Sequence, residues 1–265
     1  MRQAVDRRAQ DRLGITLIVI SLVSVAALLG VGYSRSSLRD TRDALTACPI
    51  DEPPSGYTAL VIDKTEGMSE RQLRRLESER DRLLSKVGPG EMVSIYVVDD
   101  RTSPVLDPEL ALCSPGAGRD ANPLYQNPGK HEARFQERFA ERLAAVVAEL
   151  ERPRSSARSP ILEAIHAVAS SPEFERSRGR RELVVVSDLL QNVPEFSHYG
   201  GVPRFEDFRA SAYAASVAAD LRGAEVRVIY LRRPEDLHAQ NETHRAFWKS
   251  VFEESGAAHV EFLQQ

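Results

Sequence analysis

One stretch of this chain cannot sit in an ordinary globular core. From Leu13 to Tyr33 (LGITLIVISLVSVAALLGVGY) 21 consecutive residues carry no charge. A helix needs about 20 such residues to cross a bilayer. No other segment approaches this length, which excludes a multi-span membrane protein. Four arginines (Arg2, Arg7, Arg8, Arg12) and two acids (Asp6, Asp11) precede the run. The positive-inside rule keeps this leader in the cytoplasm and puts the rest of the chain outside it, in the periplasm of a Gram-negative cell. Arg35, Arg39 and Arg42, just beyond the run, oppose that orientation. A cleaved signal peptide has an apolar core of about 7–15 residues and a small-x-small site. This run is longer, and Gly30 to Ser34 makes a poor site. The sequence therefore reads as a cytoplasmic N-terminus over 1–12 and an uncleaved transmembrane helix over 13–33.

Residues 34–56 are polar and end in the turn-rich Pro53-Pro54-Ser55-Gly56, the pattern of a stalk. One domain is expected over 57–265, long enough for a large core. With 42% hydrophobic and 28% charged residues the balance is globular, and a net charge of -4 leaves no basic footprint for nucleic acid.

Within 57–265 short apolar runs alternate with helical periods. Tyr57 to Asp63, Met92 to Val98, Glu182 to Ser187, Glu225 to Leu231 and His259 to Leu263 read as strands, the first nearly continuous as in a strand buried on both faces. Val105 to Cys113 offers an edge strand. Helices are predicted over 69–87, 131–150, 160–169, 205–221 and 238–254. Ser69-x-x-Gln72 is a capping-box pattern. This order implies an α/β fold: a three-layer, Rossmann-like, mostly parallel sheet with helices on both faces. Ligands of such sheets bind beyond the carboxyl ends of the strands, at the topological switch point.

Two acids lie there, each after a run of buried strand. Asp63-Lys-Thr65-Glu-Gly67-Met-Ser69 follows the first strand, Ser187-Asp188-Leu-Leu-Gln191-Asn192 follows the fourth, and Ser159-Pro160 opens the helix between them. A buried acid needs a cation or hydrogen-bond donors. Oxygen-only donors suit Mg²⁺ rather than zinc. These loops resemble the von Willebrand factor type A (VWA) family, whose metal-ion-dependent adhesion site spans three loops. The resemblance covers about residues 57–265 in element order. It implies that Asp63 and Thr65 match the first loop, Ser159 the second-loop Thr and Asp188 the third-loop acid. Gly67 stands where a second Ser belongs, with Ser69 a possible additional ligand. Ser69 and Ser159 also have complete explanations as helix caps.

The resemblance further implies a protein-binding module in which a partner's acidic side chain completes a weak Mg²⁺ site. A metal-free VWA-like scaffold is the alternative, and a Mg²⁺-dependent phosphohydrolase a third. No nucleophile–base pair stands out, so no enzyme activity is expected. Cys48 and Cys113 are the only thiols. An oxidising compartment would permit them to pair, and two unpaired thiols are the alternative. The six histidines show no ligand spacing and read as surface or helix positions. Phe196 to Tyr199 forms an aromatic loop, either recognition surface or loop packing.

Overall fold

The structure is a computed structural model and describes residues 16–28, 30, 42–43, 45–99, 106–149 and 156–263. The chain divides into two units, Met1–Thr41 and Arg42–Gln265. The predicted N-terminus (1–12) and parts of the predicted span and stalk lie outside the described residues. In the first unit a helix, α1, covers residues 16–28, and every described side chain on it is exposed. Among the described residues no helix is long and apolar enough to cross a membrane.

The second unit is built on a six-stranded sheet. Its strands are β1 (Tyr57–Asp63), β2 (Met92–Val98), β3 (Leu110–Cys113), β4 (Arg181–Ser187), β7 (Glu225–Tyr230) and β8 (His259–Leu263), and a separate hairpin is formed by β5 (Asn192–Val193) and β6 (Phe196–Ser197). The sheet order is β3-β2-β1-β4-β7-β8. All neighbours are parallel except β3, which runs antiparallel to β2 at the edge.

Side-chain alternation along the strands divides the core into two layers. On one face Tyr57, Ala59, Val61, Leu183, Val185, Val226 and Val228 pack against helices α5 (Ile161–Ala169) and α9 (Glu242–Glu254). On the other, Leu60, Ile62, Val184, Val186 and Ile229 pack against α2 (Glu70–Lys86) and a long helix. That helix runs as α3 (Pro128–Phe135), a π-helical turn (Gln136–Ala140) and α4 (Glu141–Glu149). The sheet is thus mostly parallel, with helices on both faces.

Several elements differ from the sequence reading. The helix expected over 205–221 is two short ones, α7 (Phe205–Arg209) and α8 (Ala212–Ser216). Ser211 interrupts the period and caps α8 by accepting from Ala214 N. The helix expected from residue 238 begins only at Glu242, because Asn241 is its cap, accepting from His244 N. A short α6 (Pro172–Arg176), capped by Ser171, was not foreseen. Cys48 and Cys113 are joined, tying the segment before β1 to the edge strand.

Candidate functional site

The crossovers leave β1 and β4, neighbours in the sheet, in opposite directions. The crevice at their carboxyl ends is the topological switch point. Asp63 is the last residue of β1 and Asp188 the first after β4; both are buried. Asp63 Oδ1 accepts from Thr65 N at 3.0 Å and Thr65 Oγ1 at 2.7 Å. Its Oδ2 accepts from Ser187 Oγ at 2.8 Å and Ser159 Oγ at 3.2 Å. The structure therefore brings together three of the predicted residues, Asp63, Thr65 and Ser159, and adds Ser187.

Asp188 has a different partner. Its Oδ1 accepts from Leu190 N at 2.9 Å, and its Oδ2 from Arg233 Nε at 3.0 Å. Burial, with Asp63 adding to it, pushes the Asp188 carboxyl up to about 7 against the pull of Arg233. Arg233 is itself buried. Its Nε also lies 3.0 Å from Glu66 Oε2, and its Nη1 donates to the Gly67 carbonyl. Gln240 fixes it from behind. The Gln240 Oε1 accepts from Arg233 N at 2.7 Å, while its Nε2 donates to the carbonyls of Leu231 and Asp188. Sequence reading missed Arg233 although the relevant signal was present, since it lies three residues past the end of β7.

Asp63, Thr65 and Ser159 offer the oxygen donors a hard cation takes. Asp188 does not complete the set, because a charged guanidinium already holds its Oδ2. Gly67, where the family resemblance places a hydroxyl, turns its carbonyl to the same guanidinium. Three of the predicted residues thus converge on one point, and Asp188 faces Arg233 instead. Ser69 is engaged elsewhere: it caps α2, its hydroxyl accepting from Gln72 N while Gln72 Oε1 accepts from Ser69 N at 2.8 Å. Ser159 is not a cap. Pro160 stands at the cap position of α5, and Gln191 Oε1 accepts from Ile161 N and Leu162 N at 2.8 and 3.0 Å, which frees the Ser159 hydroxyl for Asp63.

The loop after Asp188 is held in an uncommon conformation. Leu189 has φ 60°, in the left-handed region that bulky side chains avoid. Its carbonyl accepts from Trp248 Nε1 at 2.8 Å and faces His244 Nε2 at 3.0 Å and His198 Nδ1 at 3.2 Å. Those two histidines are fully buried rather than superficial. At the rim, the carboxylates of Glu66, Glu235 and Asp236 lie within 4.8 Å of one another, and Tyr199 and Leu237 are exposed. Partial burial raises Glu66, with Asp236 and Glu235 adding to the shift and Arg233 opposing it. Partial burial raises Tyr199 above its ordinary value, helped by Asp188 and Glu66.

Fold and site together define a doubly wound α/β protein with a buried acid–arginine cluster at its switch point. No protein family model matches the chain, and no curated protein does. Among solved structures, the crystal structure of the human COPII-coat protein Sec24c is similar, at 12% identity and a TM-score of 0.42. The match covers 80% of this chain and 30% of that one.

Proposed function

We propose that this chain is a membrane-anchored protein-binding module. In this reading a VWA-like domain presents the loops after β1, β4 and β7 to a partner, and the positive charge at the site comes from Arg233 instead of a metal. The observation that supports it is the buried Arg233 guanidinium held by Asp188, Glu66 and the Gly67 carbonyl. We assign no catalysis. The acids Glu66, Glu235 and Asp236 beside the exposed Tyr199 favour a basic partner segment. A bound cation would call for an acidic one.

The anchor is the run 13–33, with residues 1–12 in the cytoplasm and the domain outside it. Two observations support this placement: the exposed apolar side chains of α1 and the Cys48–Cys113 disulfide, which suits an oxidising compartment. A second reading, a weak Mg²⁺ site, draws support from the convergence of Thr65 and Ser159 on Asp63.

One experiment separates the two. The melting temperature is compared in millimolar Mg²⁺ and in chelator, and partner capture is measured in both. The metal-independent reading expects equal melting temperatures, and capture that survives chelator but fails in Glu66→Lys and Asp236→Lys. A Mg²⁺-dependent rise in melting temperature that Asp63→Ala abolishes would replace it with the second reading.

A further inference from the structure

The hairpin of β5 and β6 lies outside the main sheet, directly after Asp188 and Leu189. The Phe196 ring stacks on Phe247 of α9 at 5.9 Å and packs against Phe208 and Tyr213, and two further attachments hold the hairpin's ends. Asn192 pairs with Ser159 through backbone bonds in both directions, and His198 inserts between α9 and Leu189. The insertion is tight. The His198 ring lies 4.7 Å from that of His244, 5.1 Å from Phe247 and 5.9 Å from Trp248, each edge-to-face. His198 Nδ1 is 3.2 Å from His244 Nε2, and both face the Leu189 carbonyl. His198 Nε2 is buried and has no hydrogen-bond partner among the described residues.

This geometry suits a neutral ring only. With the proton on Nδ1, His198 donates to Leu189 O and leaves one lone pair unmet. A second proton on Nε2 would be a charged donor with no acceptor, in an aromatic pocket beside another imidazole. His244 has more latitude, because its Nδ1 lies 2.7 Å from the Tyr230 hydroxyl, which can donate or accept.

We propose that His198 is an acid-released latch: proton uptake by the His198–His244 pair frees the β5–β6 hairpin from α9 while the main sheet stays folded. This goes beyond the partner-binding reading and does not rest on it. The groups facing His198 can be named element by element. Helix α9 presents His244, Phe247 and Trp248. From β7 the Tyr230 hydroxyl reaches it only through His244. The turn after β4 presents the Leu189 carbonyl, and the Asp188 carboxylate beside it is turned to Arg233. The hairpin itself adds the Phe196 ring. Among the described residues no carboxylate acts on His198; burial first, then His244, lowers it to about 3. Burial lowers His244 to about 4. The latched state therefore binds fewer protons than the open one between about pH 6.5 and the shifted values. Each ring that titrates moves the opening equilibrium about tenfold per pH unit towards open as pH falls.

Trp248 is the chain's only tryptophan and donates to the same carbonyl, so it reports on the latch. The full chain in detergent micelles is titrated from pH 7.5 to 4.5. The expected result is a red shift and stronger acrylamide quenching of Trp248, an unchanged far-ultraviolet dichroism, and deuterium uptake that rises in residues 190–201 after correction for intrinsic exchange. His198→Gln and His198→Leu should each weaken the pH dependence, leaving only the share of His244. An unchanged wild-type emission, the same shift in either folded variant, or loss of dichroism in step with the emission overturns the proposal. If neither variant folds, uptake in residues 190–201 decides: a rise of about tenfold per pH unit supports the latch, and uptake spread evenly over the sheet overturns it.

Discussion

Arg233 determines how the site at the end of the sheet can be used. Its guanidinium meets a carboxylate that is fully buried and close enough to Asp63 to be pushed up by it. Removing one member of a buried pair leaves the other uncompensated, at a cost of about 3–5 kcal/mol. Replacing both with apolar groups avoids that penalty. Arg233→Met should therefore lower the denaturation midpoint by an amount in this range, and Arg233→Met with Asp188→Leu should recover most of it. A loss in the double variant equal to the sum of the losses in Arg233→Met and Asp188→Leu alone would show that the pair is not coupled. The raised carboxyl of Asp188 also has a signed effect on stability. Its folded value of about 7 lies above the ordinary carboxylate range, so the folded state holds a proton that the unfolded state has released. That contribution is complete below about pH 4 and is lost as pH rises through 7. His198 and His244 act in the opposite sense, since their values are lowered and their cost appears as pH falls below about 6.5. Melting temperatures taken from pH 6 to 8 should fall in the wild type relative to Asp188→Asn. Parallel curves would remove Asp188 as the titrating group.

At the scale of elements, the sequence was most legible where one local rule decided the outcome. The strands could be read because buried parallel strands are short unbroken apolar runs, as in Leu183 to Val186. Helix α2 was legible because Ser69 and Gln72 sit at capping-box spacing. That cap has a measurable consequence. Ser69→Ala should cost about 1 kcal/mol. Gln72→Ala should cost more, because Gln72 Nε2 also donates to the Arg232 carbonyl across the site. Thermal melts of the two variants, with and without Mg²⁺, check both the order and the absence of a metal response. What could not be read were contacts made across the fold. Arg233 looks like one of two charged residues in a turn, and its partner Asp188 is 45 residues away. The cap of α5 comes from Gln191, 30 residues downstream of Ile161, so Ser159 looked like the cap it is not. His198 and His244 have no ligand spacing, and only packing on Leu189 brings them together. Asp63, Thr65 and Asp188 follow from one rule about strand ends and Ser159 from the family resemblance, whereas Arg233, also beyond a strand end, is a cation and so no candidate for an oxygen-ligand set.

The whole molecule joins an apolar helix to a domain that is stapled at its edge. In α1 the Ser24 hydroxyl donates to the Ile20 carbonyl at 2.8 Å, so this polar group is satisfied within the helix. The large side chains around it, Leu17, Ile18, Ile20, Leu22 and Val23, are all more than half exposed. The domain has its own core and its own covalent tie, with Cys48 and Cys113 65 positions apart. In the chain-entropy account a bridge of that length stabilises by roughly 4 kcal/mol. Such bridges are rare in the reducing cytoplasm. Anchor, orientation and staple therefore make one joint prediction. In cells, the full chain should sediment with membranes and resist carbonate extraction. Cys48 and Cys113 should be unreactive to alkylation until reduced, and a reporter fused at Gln265 should be active outside the cytoplasm. A chain starting at Arg42 and retained in the cytoplasm should be soluble, carry two alkylatable thiols and melt lower by an amount that oxidation restores. A full chain in the membrane fraction with both thiols free and a reporter active only in the cytoplasm would reverse the orientation, and the periplasmic placement would fall with it.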